Sequence, residues 1–366
     1  MIDYYMGTHL FTGADCINNN AGAFSEFGKR CLIITGKSGV GPNGPLKAVE
    51  RLLNEQGICF SISVGSYQNP TVSQAQELGT SAAAMFADYL IGIGGGSVLD
   101  LTKSASVFAA NPGIDESGFY SGIWEHRPIP TILIGTTSGT GSEVTSVAVL
   151  IDSTGRKHSI HHKLLYGRYA FGDPTYTMSV PESVTVSTCI DALSHCVESY
   201  FTKKANLFSK PFSIAGTKLF LKKVSGLQSL SLPISYSTRE ALYEISILGG
   251  MAINITGTTF PHSMGYYFTE RYHLPHGFAS ALFLPELLHF AEKNSPQVYC
   301  EFFNEIGCSP DRFMEVISTL LPTFDIHLTE DEIDAELPRW ENNSVKNCCS
   351  QITLPEIKQM LKRKFG

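Results

Sequence analysis

Three consecutive glycines at the end of an apolar run constrain this chain more than any other feature. Tyr89-Leu-Ile-Gly-Ile93 leads straight into Gly94-Gly95-Gly96-Ser97, and a segment with helical spacing follows. A strand that turns at once into a helix over glycines is the repeating unit of a parallel sheet with crossover helices. The neighbouring sequence repeats it. Cys31-Leu-Ile-Ile-Thr35, Ile58–Val64 and Pro130–Gly135 read as strands; Gly36 follows the first and Gly135 closes the last. Pro45–Gly57, with Leu46, Val49, Leu52 and Leu53 on one face, and Thr71–Met85 read as helices between them. Residues 1–28 read as an opening strand and a first helix. The expectation is an α/β dinucleotide-binding domain over residues 1–180.

Two glycine-rich loops follow predicted strands. In Gly94-Gly95-Gly96-Ser97-Val-Leu-Asp100, backbone N–H groups at a helix start can hold a pyrophosphate, and glycines let it approach closely. The same residues also suit a tight turn with a helix beginning at Ser97 and Asp100 completing a variant capping box. The two readings are compatible. The second loop, Thr136-Thr137-Ser-Gly-Thr140-Gly-Ser142-Glu143, is dense in hydroxyls and exposed N–H groups. Open α/β sheets bind ligands at the carboxyl ends of their strands, where both loops fall. Gly36-Lys37-Ser38 suggests a P-loop, but that motif needs a glycine five residues before Gly36, and Cys31 stands there.

From Pro181 the texture becomes helical. Helices are expected over 181–203, 209–224, 237–255, 257–272 and 277–293, with shorter ones near 310–320, 330–340 and 355–365. Residues 181–366 therefore read as an all-helical second domain. Asp191 and His195 stand four apart, so both project from one helix face. Such a pair serves either as a plain helix contact or as half of a metal site. His262 and His276, each preceded by proline, can supply the other half, and His273 is a rival. One oxygen and three nitrogen donors suit Fe(II), Zn(II) or a related first-row ion. His161-His162 is a further pair, but adjacent residues point apart.

Composition narrows the partners. The net charge is −7 and no long basic run is present, which disfavours nucleic acid. No apolar stretch approaches the ~20 residues of a membrane span, and the N-terminus lacks the pattern of a signal peptide. Nine cysteines without a C-x-x-C pair suit reduced thiols and a cytoplasmic setting.

Taken together, Gly94-Gly-Gly-Ser-x-x-Asp100-x-x-Lys103, Thr136-Thr-x-Gly-Thr-Gly-Ser-Glu143, Asp191-Ala-Leu-Ser-His195 and the His262 to Pro275-His276-Gly277 spacing resemble the iron-containing (group III) alcohol dehydrogenase family over residues 5–290. The resemblance implies a dehydroquinate synthase-like architecture, with an α/β nucleotide domain, an all-α domain and the active site in the cleft between them. It implies a metal on Asp191, His195, His262 and His276. It also implies a nucleotide held by Gly94, Gly95, Gly96, Ser97 and Asp100, by Thr136, Thr137, Thr140 and Ser142, and by Asn69 and Lys157. The implied activity is reversible alcohol–aldehyde interconversion on a small substrate, and the implied assembly is a homo-oligomer such as a dimer. A zinc polyol dehydrogenase, a metal-independent reductase of the maleylacetate type and a non-enzymatic nucleotide-binding regulator are the alternatives. Arg271 near the fourth ligand also suits an anionic aldehyde.

Two departures stand out. NAD-preferring members carry an aspartate where this chain has Gly36. Without that acid, and with Lys37 and Ser38 beside it, NADP is favoured and NAD tolerated. Many members also carry a histidine four residues after the third ligand, where this chain has Tyr266. Tyr266, Tyr267 or water is then expected to serve the proton path.

Overall fold

The structure is a computed structural model and describes residues 4–41, 43–228 and 234–366. Two compact units divide it. Tyr5–Pro181 form one, together with the first turns of a later helix as far as Tyr243. Glu182 onward, resuming at Glu244, form the other.

The first unit is built on a parallel sheet of β1 (His9–Thr12), β2 (Arg30–Thr35), β3 (Cys59–Val64), β4 (Tyr89–Gly94), β5 (Thr131–Gly135) and, after a separate antiparallel hairpin of β6 (Val147–Ile151) and β7 (Lys157–His161), β8 (Tyr169–Gly172). The spatial order is β1-β8-β5-β4-β2-β3. Period-two alternation loads both faces of the sheet. Cys31, Ile33, Tyr89, Ile91, Ile93, Ile132 and Ile134 pack on one side with α1 (Leu46–Glu55). Leu32, Ile34 and Leu90 pack on the other with α2 (Val72–Ala84) and α3 (Gly96–Ala110). Each of these aliphatic side chains is fully or almost fully buried, worth ~1.5–3 kcal/mol apiece. Burial on both faces explains why the strands read as continuous apolar runs.

The order also fixes where ligands bind. The chain leaves β2 toward β3 on one side and leaves β4 toward β5 on the other. The loops after β2 and β4 therefore diverge, opening the crevice at which doubly wound sheets take ligands.

The second unit is helical, with α4 (Glu182–Tyr200), α5 (Ser209–Gln228), the remainder of α6 (Tyr236–Thr256), α7 (Phe260–Tyr272), α8 (His276–Ala281) and α9 (Leu284–Asn294), then shorter helices to the C-terminus. Three expectations need correction. The helix anticipated over 277–293 is two helices. Pro285 lacks the N–H an interior position needs, so it sits in the first turn of α9, and the chain breaks at Leu282-Phe283 before it. A helix at Pro296–Ile306 was not anticipated. Finally, α3 begins at Gly96 with Gly95 as its N-cap and no side-chain cap, so the Ser97–Asp100 capping box is not formed.

Candidate functional site

In the first unit, the glycine run is dictated by packing. A Cβ on Gly94 would lie 2.6 Å from Val98 Cβ, one on Gly95 2.9 Å from Thr137 Oγ1, and one on Gly96 2.5 Å from Thr140 Cγ2. Helix α3 thus sits flat on β4, and the second loop lies directly on the first. A backbone bond from Thr136 N to Gly94 O (3.0 Å) joins them. The Ser38 and Thr136 hydroxyls meet at 2.9 Å, which brings the Gly36-Lys37 turn to the same edge. Gly36, Gly94–Ser97 and Thr136–Ser142 are therefore adjacent at the sheet's C-terminal end. Ile151 donates its N–H to the carbonyl of Pro70, the residue after left-handed Asn69, and pairs with Lys157 in the hairpin.

Beneath these loops lies a buried polar network. The Lys103 ammonium, fully buried, donates to Ser142 Oγ (2.7 Å), Val147 O (2.8 Å) and Thr145 Oγ1 (3.3 Å), and stands 3.6 Å from Asp100. Asp100 accepts from Ser142 Oγ (2.6 Å) and Val149 N (3.0 Å). Both carboxylate oxygens of Asp100 and the hydroxyl of Ser142 are thus engaged inside the protein. They shape the loop, in which Gly95, Ser97, Thr137 and Thr140 stay half-buried. Burial pushes the Asp100 carboxyl up, against the pull of Lys103, and pushes the Lys103 ammonium down, against the pull of Asp100. Nearby, Tyr243 Oη donates to buried Glu143 (2.5 Å).

In the second unit, Asp191 and His195 project from one face of α4, as the i,i+4 spacing requires. Helix α7 supplies His262 from its first turn and α8 supplies His276 at its start. Donor atoms of Asp191, His195 and His262 all lie within 4.8 Å of one another, and the three residues are buried. His276 Nε2 approaches Asp191 Oδ1 to 3.9 Å. The motif's glycine has a direct reason: a Cβ on Gly277 would stand 1.8 Å from Ser187 O and 2.9 Å from Asp191 Cβ, so only glycine lets α8 dock on α4. Tyr266 stacks on the His276 ring (centroids 5.5 Å apart), whereas Tyr267 is buried against Trp340. His273 caps the end of α7, exposed and with positive φ, and is not among the clustered donors. His161 lies on β7 and His162 beside Trp124, also apart from that cluster.

The donor set fits a metal ion. Asp191 Oδ1 and His262 Nε2 are buried, lie 3.4 Å apart and make no hydrogen bond. Orphaned buried polar atoms are costly unless something fills the space between them. A tetrahedral ion with bonds of ~2.1 Å separates its ligands by about 3.4 Å. The electrostatics agree. Burial acts to raise the Asp191 carboxyl, but His195, His276 and His262 outweigh it and hold it well below the usual carboxylate range. Burial acts to lower the His262 imidazole, but Glu198 and Asp191 push it up to about 10. Without a metal, a proton on His262 supplies the positive charge this pocket calls for.

Sequence reasoning missed Glu198. It lies seven residues after Asp191 on the same helix face, a stripe that the i, i+4, i+7 spacing would have revealed. The side chain is fully buried and accepts from Thr259 N (2.8 Å), Thr259 Oγ1 (3.0 Å) and the Nδ1 of His262.

An α/β unit offering glycine-rich loops at a sheet switch point, and a helical unit presenting a carboxylate among imidazoles, make a candidate nucleotide site and a candidate metal site. Known proteins sharpen this. Residues 7–174 match the sequence model of the iron-containing alcohol dehydrogenases, and residues 185–335 match that of the family's C-terminal region. The chain is 31% identical over 273 residues to a sulfoacetaldehyde reductase of Bilophila wadsworthia, covering 74% of this chain and 70% of that protein. It is 30% identical over 278 residues to long-chain-alcohol dehydrogenase 1 of Geobacillus thermodenitrificans, covering 75% and 69%. The crystal structure of an iron-containing alcohol dehydrogenase from Thermotoga maritima superposes with a TM-score of 0.91 at 27% identity, over 100% of both chains. The chain belongs to the iron-containing alcohol dehydrogenase family and is an oxidoreductase acting on alcohols. Among the described residues no helix is long and apolar enough to cross a membrane, and all nine cysteines are free thiols.

Proposed function

We propose that the protein interconverts a small alcohol and its aldehyde, using NADP or NAD and a divalent ion, Fe(II) or Zn(II), held by Asp191, His195, His262 and His276. The observation that carries this reading is the pair of buried, unbonded donors on Asp191 and His262, with His195 and His276 beside them. When bound, the ion supplies Lewis acidity toward the substrate oxygen and the nicotinamide supplies or accepts the hydride. The chain's own residues do the rest. Asp191 offsets half of the ion's charge, and neutral imidazoles complete the set without cancelling what remains. Glycines 94–96 open the backbone to the pyrophosphate at the N-terminus of α3. The Asp100–Lys103–Ser142 network holds the second loop in place. Tyr266, stacked on His276, is the side chain we assign to pass a proton, at the position where many members carry histidine.

Gly36 supports a preference for NADP. Its φ of −97° suits any residue, and a Cβ there would meet only ordinary contacts, Val98 Cγ2 at 3.4 Å and Gly65 O at 3.9 Å. Neither backbone strain nor crowding accounts for glycine at this position, which leaves the missing carboxylate as its effect. With Lys37 and Ser38 exposed beside it, a ribose 2′-phosphate meets no like charge. The test is turnover of a panel of short neutral and anionic aldehydes with NADPH and NADH in parallel, before and after metal stripping. Activity that disappears on stripping and returns with Fe(II) or Zn(II) is expected. Full turnover by the stripped protein would contradict the proposal.

A further inference from the structure

The buried carboxylate of Glu198 has two oxygens with different work. Oε2 accepts from Thr259 N (2.8 Å) and Thr259 Oγ1 (3.0 Å), with His262 N at 3.5 Å, so it serves the N-terminus of α7. Thr259, the N-cap residue, makes no side-chain cap of its own. Oε1 faces the Nδ1 of His262. The opposite ring nitrogen, Nε2, looks at Asp191 Oδ1 across 3.4 Å without a hydrogen bond. A carboxylate only accepts, so Nδ1 carries a hydrogen whatever the state of Nε2, and once an ion displaces the proton from Nε2 that nitrogen's lone pair is the one free to ligate it.

We infer that Glu198 is a positioning residue for the metal: it fixes the His262 tautomer and ring orientation, and through them sets how tightly the ion is held. The inference rests on the metal reading above and extends it to a residue that does not touch the ion. Outer partners of ligating histidines act in this way, orienting the ring and raising its basicity.

Glu198→Gln separates this role from a plain packing role. Glutamine keeps the volume but has one acceptor oxygen. The Thr259 N–H and hydroxyl claim that oxygen, because both are buried donors. The amide NH2 then faces His262 Nδ1 and can only donate to it. The ring responds by carrying its hydrogen on Nε2, directed at Asp191, and the lone pair needed by the ion is lost. The helix cap survives while the tautomer inverts.

The experiment measures Zn(II) affinity by chelator competition for the full chain and for Glu198→Gln, alongside long-range 15N–1H correlation spectra of 15N-histidine-labelled protein. Zn(II)-loaded wild-type protein is expected to show His262 as Nδ1–H with Nε2 ligated. Metal-free Glu198→Gln is expected to show Nε2–H, and its Zn(II) affinity to fall by roughly 10–100-fold. Unchanged affinity in a folded Glu198→Gln would overturn the inference while leaving the metal reading intact. Should that variant fail to fold, the wild-type spectrum decides alone, since ligation through Nδ1 would also overturn it. Wild-type protein that binds no Zn(II) at this cluster would overturn the metal reading and this inference together.

Discussion

The nucleotide loops and the carboxylate–imidazole cluster both rely on glycine for close approach, but against different neighbours. In the loops, a Cβ on Gly95 would meet the end of the Thr137 side chain, which can turn aside. In the cluster, a Cβ on Gly277 would strike the Ser187 carbonyl of α4, which cannot. The polar groups differ as well. Asp100, Lys103 and Ser142 satisfy one another inside the protein, although Ser138 Oγ of the second loop is buried without a bond. Asp191 and His262 keep buried atoms unbonded. The Asp100–Lys103–Ser142 network is satisfied within the protein, whereas on the proposal above the Asp191–His262 pair is completed by its ion.

Removing a donor from the incomplete region should have the largest effect. His262→Ala is expected to abolish metal retention and to lower kcat by about three orders of magnitude, as loss of several kcal/mol of Lewis-acid stabilisation implies. Metal content by atomic absorption and steady-state kinetics check this, and retained metal with near-normal kcat would break the contrast. Next come the glycines. Gly277→Ala is expected to cost about 3 kcal/mol or more in urea unfolding, since backbone must move. Gly95→Ala should cost about 1 kcal/mol and act mainly on nucleotide KM. Equal losses in the two variants would show that the neighbours do not matter. Gly36→Asp should leave stability within about 0.5 kcal/mol and lower the NADPH-to-NADH ratio of kcat/KM by about 10–100-fold. An unchanged ratio would remove the argument from the missing acid.

A further expected effect is a pH dependence of the metal-free protein. The folded His262 imidazole is raised from 6.5 to about 10. A raised value means that its contribution to stability is complete below about pH 6.5 and is lost as the pH climbs through 10. Thermal midpoints of metal-free protein should therefore fall over that window. The Zn(II)-saturated protein, whose ion displaces the proton, should lack this fall. A flat metal-free profile would show that the cluster does not hold the proton.

Much of this was legible in the residues. The parallel sheet announced itself because strands buried on both faces must be apolar throughout, and the α4 pair because helical periodicity is local. Other features depend on distant chain. The strand Tyr169–Gly172 inserts between β1 and β5, a placement no local pattern encodes. Asp100 and Ser142 matched a nucleotide motif, yet their polar atoms turn inward, since burial beside Lys103 is decided by tertiary packing. The break before Pro285 was written in the sequence and is a matter of applying the proline rule. Glu198 could have been found from its i+7 position, but nothing local says that its partners are Thr259 and His262.

The central claim is that Asp191, His195, His262 and His276 enclose one ion. Anomalous diffraction from crystals grown with Fe(II) or Zn(II), recorded at the metal's absorption edge, tests it most directly. The account predicts a single strong peak within bonding distance of Asp191 Oδ1 and His262 Nε2, with His195 and His276 closing around it. A peak bound elsewhere, or none in protein saturated with the ion, would contradict it.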